Sequence, residues 1–135
     1  MITGRCACGQ VTLALPRLPE KINICNCGLC RPTGMACGYY RPDEPVIAGE
    51  TRGFVRSDLS DVWLTLHFCP DCGSATHWTP AEGKAIDRMG VNMRLFPQDD
   101  LAGVPVFYQD GRAVIEETDE FTTTATGHIG DGRAF

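Results

Sequence analysis

The sequence has no long apolar run and no block of basic residues. No segment approaches the roughly 18 consecutive apolar residues of a membrane-spanning helix. Lysine and arginine total 12, are scattered along the chain, and are outnumbered by 17 acidic residues, which gives a formal net charge of −5. A nucleic-acid-binding surface needs concentrated positive charge. We therefore predict no membrane span and no nucleic-acid partner.

The amino-terminal stretch also lacks the features of a secretory signal. The chain begins MITGRCACG, where a signal peptide would have a basic segment followed by an apolar one. This predicts a cytoplasmic location, in which thiols stay reduced. With 135 residues, of which 43% are hydrophobic, the chain is expected to form one domain around its own core.

Cysteine, by contrast, is plentiful and clustered. Eight cysteines form three groups and one isolated residue: C-x-C at Cys6 and Cys8, C-x-C-x-x-C at Cys25, Cys27 and Cys30, C-x-x-C at Cys69 and Cys72, and Cys37 alone. Such groups in a reducing compartment favour metal ligands, with disulfides or a redox C-x-x-C as the alternatives. In CPDCG, Pro70 and Gly73 supply the tight turn of a zinc knuckle. Each C-x-C on an extended strand would present both sulfurs on one face.

The number of ligands divides these cysteines between two zinc ions. A structural zinc ion has four protein ligands, and a catalytic one has three and an open position. The two cysteine pairs together make a closed structural site: Cys6, Cys8, Cys69 and Cys72. Cys25, Cys27 and Cys30 then form a three-thiolate site that a substrate atom completes, and this site is expected to be catalytic and labile. The alternative is that Cys37 closes it.

A three-thiolate zinc site favours a thiol substrate, because zinc that carries sulfur ligands accepts a further sulfur and lowers its pKa. Held beside an electrophile, that sulfur would form a carbon–sulfur bond. Arg31 directly follows Cys30 and is the nearest cation for the carboxylate of an anionic thiol such as glutathione. Arg41, Arg52 and Arg56 lie farther along the chain. The alternative function is a zinc-binding module that binds glutathione or a protein partner without turnover.

Residue alternation predicts a mainly β protein. Residues 9–16 and 21–27 alternate between polar and apolar side chains, and the second segment leads into the cysteine triplet. Further strands are predicted in MACGYYR, GFVRSD, VWLTLHF, ATHW, AIDRMGVNMRLF and VPVFYQDGRAV, with one short helical turn at 97–103. Two sheets clasped by zinc are the expected architecture. The polar end, 116–135, is expected to be an arm or partly disordered.

Three further side chains are candidates because they lie close to cysteines in the sequence. His67 is expected to share a strand face with Cys69 and to act as a donor to sulfur or as a proton carrier. One of Tyr39 and Tyr40 is expected to line the substrate pocket while the other packs in the core. Ser74 is expected to stabilise the CPDCG turn by bonding back to it.

Three of the motifs resemble one known family. GRCACGQV, INICNCGLCRPTGMACGYY and FCPDCGS, over residues 4–74, resemble the glutathione-dependent formaldehyde-activating enzyme family, which also includes centromere protein V. GVNMRLF and FYQDGR extend the similarity to about residue 113. The resemblance implies a tent-like β fold, one zinc ion on the two cysteine pairs and a second on the triplet. It also implies the condensation of glutathione with formaldehyde to S-hydroxymethylglutathione, formally a carbon–sulfur lyase reaction. Asn26 and Gly28 stand where the family often has histidine and serine.

The resemblance also divides the chain near its carboxyl end. Residues 1–118 are expected to form the zinc-binding domain, and residues 119–135 a carboxyl-terminal extension. The expected cofactors are two zinc ions, and the expected partner is a small thiol such as glutathione. Formation of a homodimer is left open.

Overall fold

The structure is a computed structural model that describes residues 1–115 and 120–135. In this part of the chain it consists of two β-sheets with very little helix, which confirms the predicted mainly β, two-sheet fold. The smaller sheet contains three strands: β1 (Ile2–Arg5), β2 (Thr12–Leu15) and β5 (Val46–Ala48). These strands are antiparallel, and β2 lies in the middle.

Eight strands form the larger sheet: β3 (Ile22–Cys25), β4 (Ala36–Tyr40), β6 (Arg52–Val55), β7 (Leu64–Phe68), β8 (Ala75–Pro80), β9 (Met89–Asn92), β10 (Pro105–Ile115) and β11 (Glu120–His128). Their order is β11-β10-β3-β4-β9-β8-β7-β6. Within the described strands, β10 and β3 run parallel and every other neighbouring pair is antiparallel. The parallel pair brings Cys25, at the end of β3, beside Gln109.

Side chains of both sheets build the main core. Leu13 and Leu15 of β2 pack with Ile22 of β3, Val91 of β9 and Val106 of β10, and each of the five is at most 1% exposed. In β2 the buried leucines alternate with less buried residues, as expected of a strand with one face against the core. All residues of the central strand β9 are buried. The core therefore joins the two sheets into one unit.

A second, smaller group of buried side chains adjoins the cysteine triplet: Leu29, Met35, Cys37, Leu66, Ala75 and Trp78. Cys27 and Cys30 pack against this group. The indole ring of Trp78 lies directly on Gly90 of β9, where a Cβ atom would overlap the ring. A side chain at position 90 would therefore displace Trp78 from the wall next to the cysteines.

Helical structure in the described residues is limited to α1 (Cys30–Thr33) and two 3₁₀ turns, Met93–Leu95 and Asp99–Leu101. The second 3₁₀ turn lies inside the predicted segment 97–103. The sequence did not predict α1, which ends at Gly34 in the left-handed conformation, with φ 70°. Across the same part of the chain, no helix combines the length and the apolar character that crossing a bilayer requires.

The polar carboxyl-terminal segment forms the edge strand β11, which pairs with β10 from Glu120↔Ile115 to His128↔Pro105. It was predicted as an arm or a partly disordered tail. The threonine-rich composition of EFTTTATGH suits an exposed strand, because β-branched side chains favour extended backbone. The predicted boundary between residues 118 and 119 lies outside the described residues.

His77 in β8 is buried as a neutral ring. It is 5% exposed, its Nδ1 lies 2.9 Å from the Thr76 hydroxyl, and it stacks on His67 with 4.3 Å between the ring centroids. Burial first, and the neighbouring His67 second, lower the pKa of His77 from 6.5 to about 4. Between these values the folded state binds fewer protons than the unfolded chain. Burial of the neutral His77 ring therefore costs the folded state nothing in protonation above pH 6.5. As the pH falls from 6.5 towards 4, the unfolded chain takes up the proton first, and the free energy of unfolding decreases.

We expect an NMR titration of the His77 ring to show a midpoint near pH 4. His77→Gln assigns the resonance, because the signal that it removes belongs to this ring. A midpoint near 6.5 would show that the ring is solvated rather than buried.

Candidate metal centres

Four cysteines from two distant parts of the chain form the first cluster: Cys6, Cys8, Cys69 and Cys72. Their Sγ atoms all lie within 4.8 Å of one another. Two of these distances are 3.5 Å, between Cys6 and Cys8, and 3.7 Å, between Cys8 and Cys69. A tetrahedral site with metal–sulfur bonds of about 2.3 Å places its sulfurs about 3.8 Å apart. The four sulfurs therefore fit a closed tetrahedral metal site.

Each pair of this cluster lies on a tight turn beyond the end of a strand. After β1, the Gly9 N–H donates to the Cys6 carbonyl at 3.0 Å. After β7, the Gly73 N–H donates to the Cys69 carbonyl at 2.9 Å, and Gly73 takes the positive φ of 76° that this turn requires. The prediction that the first C-x-C shows both sulfurs from an extended strand is wrong, because Cys6 and Cys8 lie on the turn.

Ser74 links the two turns of the first cluster. Its hydroxyl oxygen accepts a hydrogen bond from the Ala7 N–H at 3.1 Å and lies 3.3 Å from the Cys72 Sγ. The hydrogen bond from this hydroxyl is the main cause that lowers the pKa of the Cys72 thiol. The predicted role of Ser74 at the CPDCG turn is confirmed, and the contact with Ala7 extends it to the amino-terminal turn.

Cys25, Cys27 and Cys30 form the second cluster, with all Sγ atoms within 4.8 Å of one another. Cys25 is the last residue of β3, Cys27 follows in the loop, and Cys30 begins α1. The Cys27 N–H donates to the Cys25 Sγ at 3.4 Å, and the Cys30 N–H donates to the Cys27 Sγ at 3.3 Å. The loop therefore wraps the three sulfurs around one point and directs backbone amides towards them.

Cys37 lies next to this cluster, close enough to the Cys30 thiol to raise the pKa of Cys30, but it is not among the three mutually close sulfurs. It is in β4, is 3% exposed, and packs with Leu66 and Trp78 in the second buried group. Among the described residues, the group whose sulfurs lie within 4.8 Å of one another contains the triplet without Cys37. The second cluster therefore contains three mutually close sulfurs, one fewer than the first, and Cys37 stays the alternative fourth ligand.

Mutual crowding affects the thiols of the second cluster. Burial, followed by the charge of Cys27, raises the pKa of Cys25. The contact with Cys30, followed by burial, raises the pKa of Cys27. Neighbouring thiols of this kind become thiolates together when a cation lies among them. The sulfur-only donor set and its spacing therefore suit a thiophilic metal ion.

Strand β10 holds the loop of the second cluster. Asn26 Oδ1 accepts a hydrogen bond from the Gly111 N–H at 2.8 Å, and its Nδ2 donates to Asp110 Oδ1 at 3.1 Å. A Cβ atom at Gly111 would lie 2.5 Å from the Cys25 Sγ and 2.7 Å from the Cys27 Cβ. The loop can pack on β10 because position 111 has no side chain. The sequence analysis missed both contacts, although a glycine inside a predicted strand signals a close approach of this kind.

A cavity of about 280 Å³, which we call the apolar cavity, opens beside the second cluster. All three cysteines of the triplet line it, together with large apolar side chains: Leu29, Trp63, Leu64, Leu66, Trp78 and Phe121. Its polar lining includes Asn23, Tyr39, Arg88 and Gln109. A ligand in this cavity would contact the cysteine sulfurs at one end and mostly apolar groups elsewhere.

A second cavity of about 340 Å³, which we call the basic cavity, shares Cys25 and Cys30 with the first. Two arginines line it, Arg31 of α1 and Arg94, together with the polar residues Asn26, Tyr108, Gln109 and Thr124. Because Cys25 and Cys30 line both cavities, the second cluster lies in the wall between them.

The structure separates the predicted arginines. Arg31 lines the basic cavity beside the cysteine triplet. Arg41 and Arg56 are each paired with an aspartate two residues later, at 2.7 Å, and Arg56 also lies beside Gly28 of the cysteine loop. Arg88 also lines the apolar cavity, and the sequence does not predict it because it is distant in the chain from every cysteine.

The tyrosine and histidine candidates have different outcomes. Tyr39 lines the apolar cavity and Tyr40 is 2% exposed in the core, so the prediction for this pair is confirmed. The predicted contact of His67 with a sulfur is wrong. Its Nε2 lies 2.8 Å from the Thr79 hydroxyl, its ring stacks on His77, and a register shift follows it in β7.

Comparison with known proteins identifies the family. The sequence model of the family described as glutathione-dependent formaldehyde-activating enzyme matches residues 1–105. The chain belongs to this family. The matched residues include all eight cysteines of the chain and end where β10 begins. It confirms the resemblance that the cysteine motifs indicated.

The fold also has a counterpart of known structure, and the formaldehyde-activating family assignment does not depend on it. A crystal structure of a Rhodobacter sphaeroides protein is similar to this chain, with a TM-score of 0.59 and 23% identity. The similarity covers 78% of this chain and 99% of that protein, and it shows a shared fold. No curated protein matches the chain.

Substitution of Gly111 should weaken metal binding at the second cluster alone. We expect Gly111→Ala to lower the affinity for the second bound metal ion by at least about tenfold, because the new Cβ displaces two of its ligands. Competition with a chromophoric chelator measures this. Gly28→Ala is the matched control, since its Cβ would lie 3.5 Å from the flexible Arg56 side chain. Equal affinities in the two variants would contradict the close packing of Gly111.

Loss of a ligand should destabilise the fold much more at the first cluster than at the second. Cys69→Ser breaks the closed site that links the turn after β1 to the turn after β7, so we expect the free energy of unfolding to fall by more than about 3 kcal/mol. Cys25→Ser, at the cavity wall, should lower it by less than about 1 kcal/mol. Urea denaturation under anaerobic conditions measures both. Equal losses would mean that the two clusters stabilise the fold alike.

Proposed function

We propose that this protein forms and cleaves the carbon–sulfur bond of S-hydroxymethylglutathione, from glutathione and formaldehyde, as a carbon–sulfur lyase. Membership of the formaldehyde-activating family supports the type of reaction. The observation that carries the proposal is the position of Cys25, Cys27 and Cys30 in the wall between two cavities of different character. Such a position allows a thiol and an aldehyde to meet at the cysteine cluster.

Zinc is the metal that we propose for both clusters. Donor sets made only of cysteine sulfur, at tetrahedral spacing, favour zinc over harder cations. We assign a structural role to the first cluster, because four ligands close it. We assign the catalytic role to the second, where bound zinc would lower the pKa of the thiol that completes the site. The zinc ion of the second cluster, with three protein ligands, is the more labile of the two.

The basic cavity supplies the groups that would bind the thiol substrate. Glutathione carries two carboxylates, and Arg31 and Arg94 bring two guanidinium groups to one cavity. Guanidinium and carboxylate groups form paired hydrogen bonds of fixed geometry, which would orient the thiol towards Cys25 and Cys30. We therefore keep Arg31 as a substrate-binding residue and add Arg94.

Tyr39 supplies a proton donor on the aldehyde side. Asn23 Nδ2 donates to the Tyr39 Oη at 3.2 Å, so the hydroxyl hydrogen of Tyr39 remains available to an oxygen in the apolar cavity. Burial is the main cause that raises the pKa of Tyr39, and the phenol therefore stays protonated. We assign this hydroxyl to the carbonyl oxygen of formaldehyde.

The addition step balances without a redox partner. A sulfur lone pair forms the carbon–sulfur bond, and the π electrons of the carbonyl group move to its oxygen. That oxygen takes a proton from Tyr39, whose hydroxyl is restored by the proton that the thiol released. The reverse sequence cleaves the adduct to glutathione and formaldehyde.

The proposal is tested by the rate of exchange between formaldehyde and S-hydroxymethylglutathione, measured by NMR at equilibrium with anaerobically purified protein. We expect wild type to hold two zinc ions and to exceed the uncatalysed rate. Cys25→Ser should hold one zinc ion and return the rate to the uncatalysed value. Tyr39→Phe should keep both ions and lower the rate by at least about tenfold, because it loses the proton donor.

Two outcomes would overturn this function. Saturable glutathione binding with no acceleration by wild type would identify a binding module instead of an enzyme. Full activity in Cys25→Ser would exclude the second cluster from the reaction. Cys37→Ser tests the ligand count, since a fall from two zinc ions to one would mean that Cys37 closes the second site.

The predicted cytoplasmic location is consistent with this chemistry. All eight cysteines are free thiols in the structure, and the proposed sites require them to stay reduced. The location remains a prediction.

A further inference from the structure

The apolar cavity is larger than formaldehyde requires. Pockets for small organic ligands begin at about 300 Å³, and this one measures about 280 Å³. Formaldehyde has two heavy atoms, and a single water molecule takes about 30 Å³ in the liquid. Most of the cavity would therefore stay unfilled by the carbon and oxygen of formaldehyde.

The lining of the cavity favours an apolar ligand. Leu29, Leu64, Leu66 and Trp78 form much of its wall. Trp63 and Phe121 also line it, although they are 55% and 38% exposed. Large apolar side chains that remain exposed around a cavity are typical of a binding site for apolar groups.

Tyr39 supplies a polar group of the cavity lining that a ligand can use. Asn23 Nδ2 donates to the Tyr39 Oη at 3.2 Å, so the hydroxyl hydrogen of Tyr39 is left for an oxygen of the ligand. Both the carbonyl oxygen of an aldehyde and the hydroxyl oxygen of a thiol–aldehyde adduct can accept it. The cavity therefore suits a ligand with one such oxygen and an apolar body.

Glutathione itself does not match this lining. It is a charged tripeptide with two carboxylates, and the apolar cavity offers them one guanidinium group, Arg88, among leucine and tryptophan side chains, where an unpaired carboxylate is costly to bury. The basic cavity, with Arg31 and Arg94, is the place for those charges. The apolar cavity is then available to the substituent on the sulfur-bound carbon, which comes from the aldehyde.

We propose that the apolar cavity binds the aliphatic or aromatic substituent of an aldehyde larger than formaldehyde. The substrate class is then a hemithioacetal whose sulfur-bound carbon carries a hydroxyl group, which accepts from the Tyr39 hydroxyl, and an apolar chain, which contacts Leu64, Leu66 and Trp78. The inference rests on the proposed function, because the same carbon–sulfur bond forms and breaks. The carbonyl oxygen again becomes a hydroxyl group, and nothing is oxidised or reduced.

The first test compares hexanal with formaldehyde, each with glutathione, by the same NMR exchange measurement. We expect the enzyme-catalysed rate constant, relative to the uncatalysed one, to be at least about tenfold larger for hexanal, because each buried methylene favours binding by about fourfold. Leu64→Trp fills part of the cavity and should lower the ratio of hexanal to formaldehyde acceleration by about tenfold. Leu59→Trp is the matched control, because Leu59 is 44% exposed and does not line the cavity.

A binding measurement keeps this inference separate from turnover. Hexanol carries the hydroxyl group and the apolar chain but does not react, so we expect it to bind wild type at least about tenfold more tightly than methanol and to lose that advantage in Leu64→Trp. Calorimetry or NMR shifts of cavity residues measure both.

The outcomes distinguish the two proposals. Acceleration of formaldehyde without any preference for hexanal would overturn the inference and leave the proposed function standing. Acceleration of neither aldehyde, together with selective hexanol binding, would overturn the proposed reaction and support the apolar site. Hexanol that binds no more tightly than methanol would overturn the inference whatever the turnover.

Discussion

The second cysteine cluster depends on the parallel pairing of β3 with β10. This pairing sets Cys25 opposite Gln109, and it continues past the end of β3 with a hydrogen bond of 3.3 Å from the Asn26 N–H to the Gln109 carbonyl. Gly111 then lies against the cysteine loop, which Asn26 fixes through its side chain. The three sulfurs are therefore positioned by a strand that follows them by more than 70 residues and lies largely beyond the part of the chain that matches the family.

In the proposed function, ligand count and surroundings, rather than ligand type, separate the structural site from the reactive one. Both groups of ligands consist only of cysteine sulfur, and backbone amides donate to sulfurs in both. The first is closed by four sulfurs and joined across its two turns by Ser74, so that it holds distant parts of the chain together. The second has three sulfurs and forms part of the wall of two cavities. In the proposed function, the same cysteine donors thus link two parts of the chain at the first cluster and leave an accessible ligand position at the second.

The sequence was most informative where spacing alone determines structure. The C-x-x-C turn at Gly73, the division of seven cysteines into four and three, and most strands could be read from local patterns. Contacts that depend on distant residues could not. Arg88, Arg94 and Gly111 reach the cysteine triplet through sheet order, which alternation does not specify. The edge strand β11 was missed for the same reason, since its polar residues resemble a tail until β10 pairs with them. Cys6 and Cys8 were placed on a strand because a short turn after β1 leaves no periodic signal.

The shared wall of the two cavities has a kinetic consequence. Cys25 and Cys30 contribute to both, yet Arg31 and Arg94 line one cavity and the tryptophans line the other. In the proposed reaction, a thiol in the basic cavity and an aldehyde in the apolar cavity would not obstruct each other. Such a site imposes no compulsory order of addition, and both reactants must be present together before the bond forms. Steady-state rates of condensation would then follow a random sequential pattern with a ternary complex, and cleavage of the adduct would release the thiol and the aldehyde in either order.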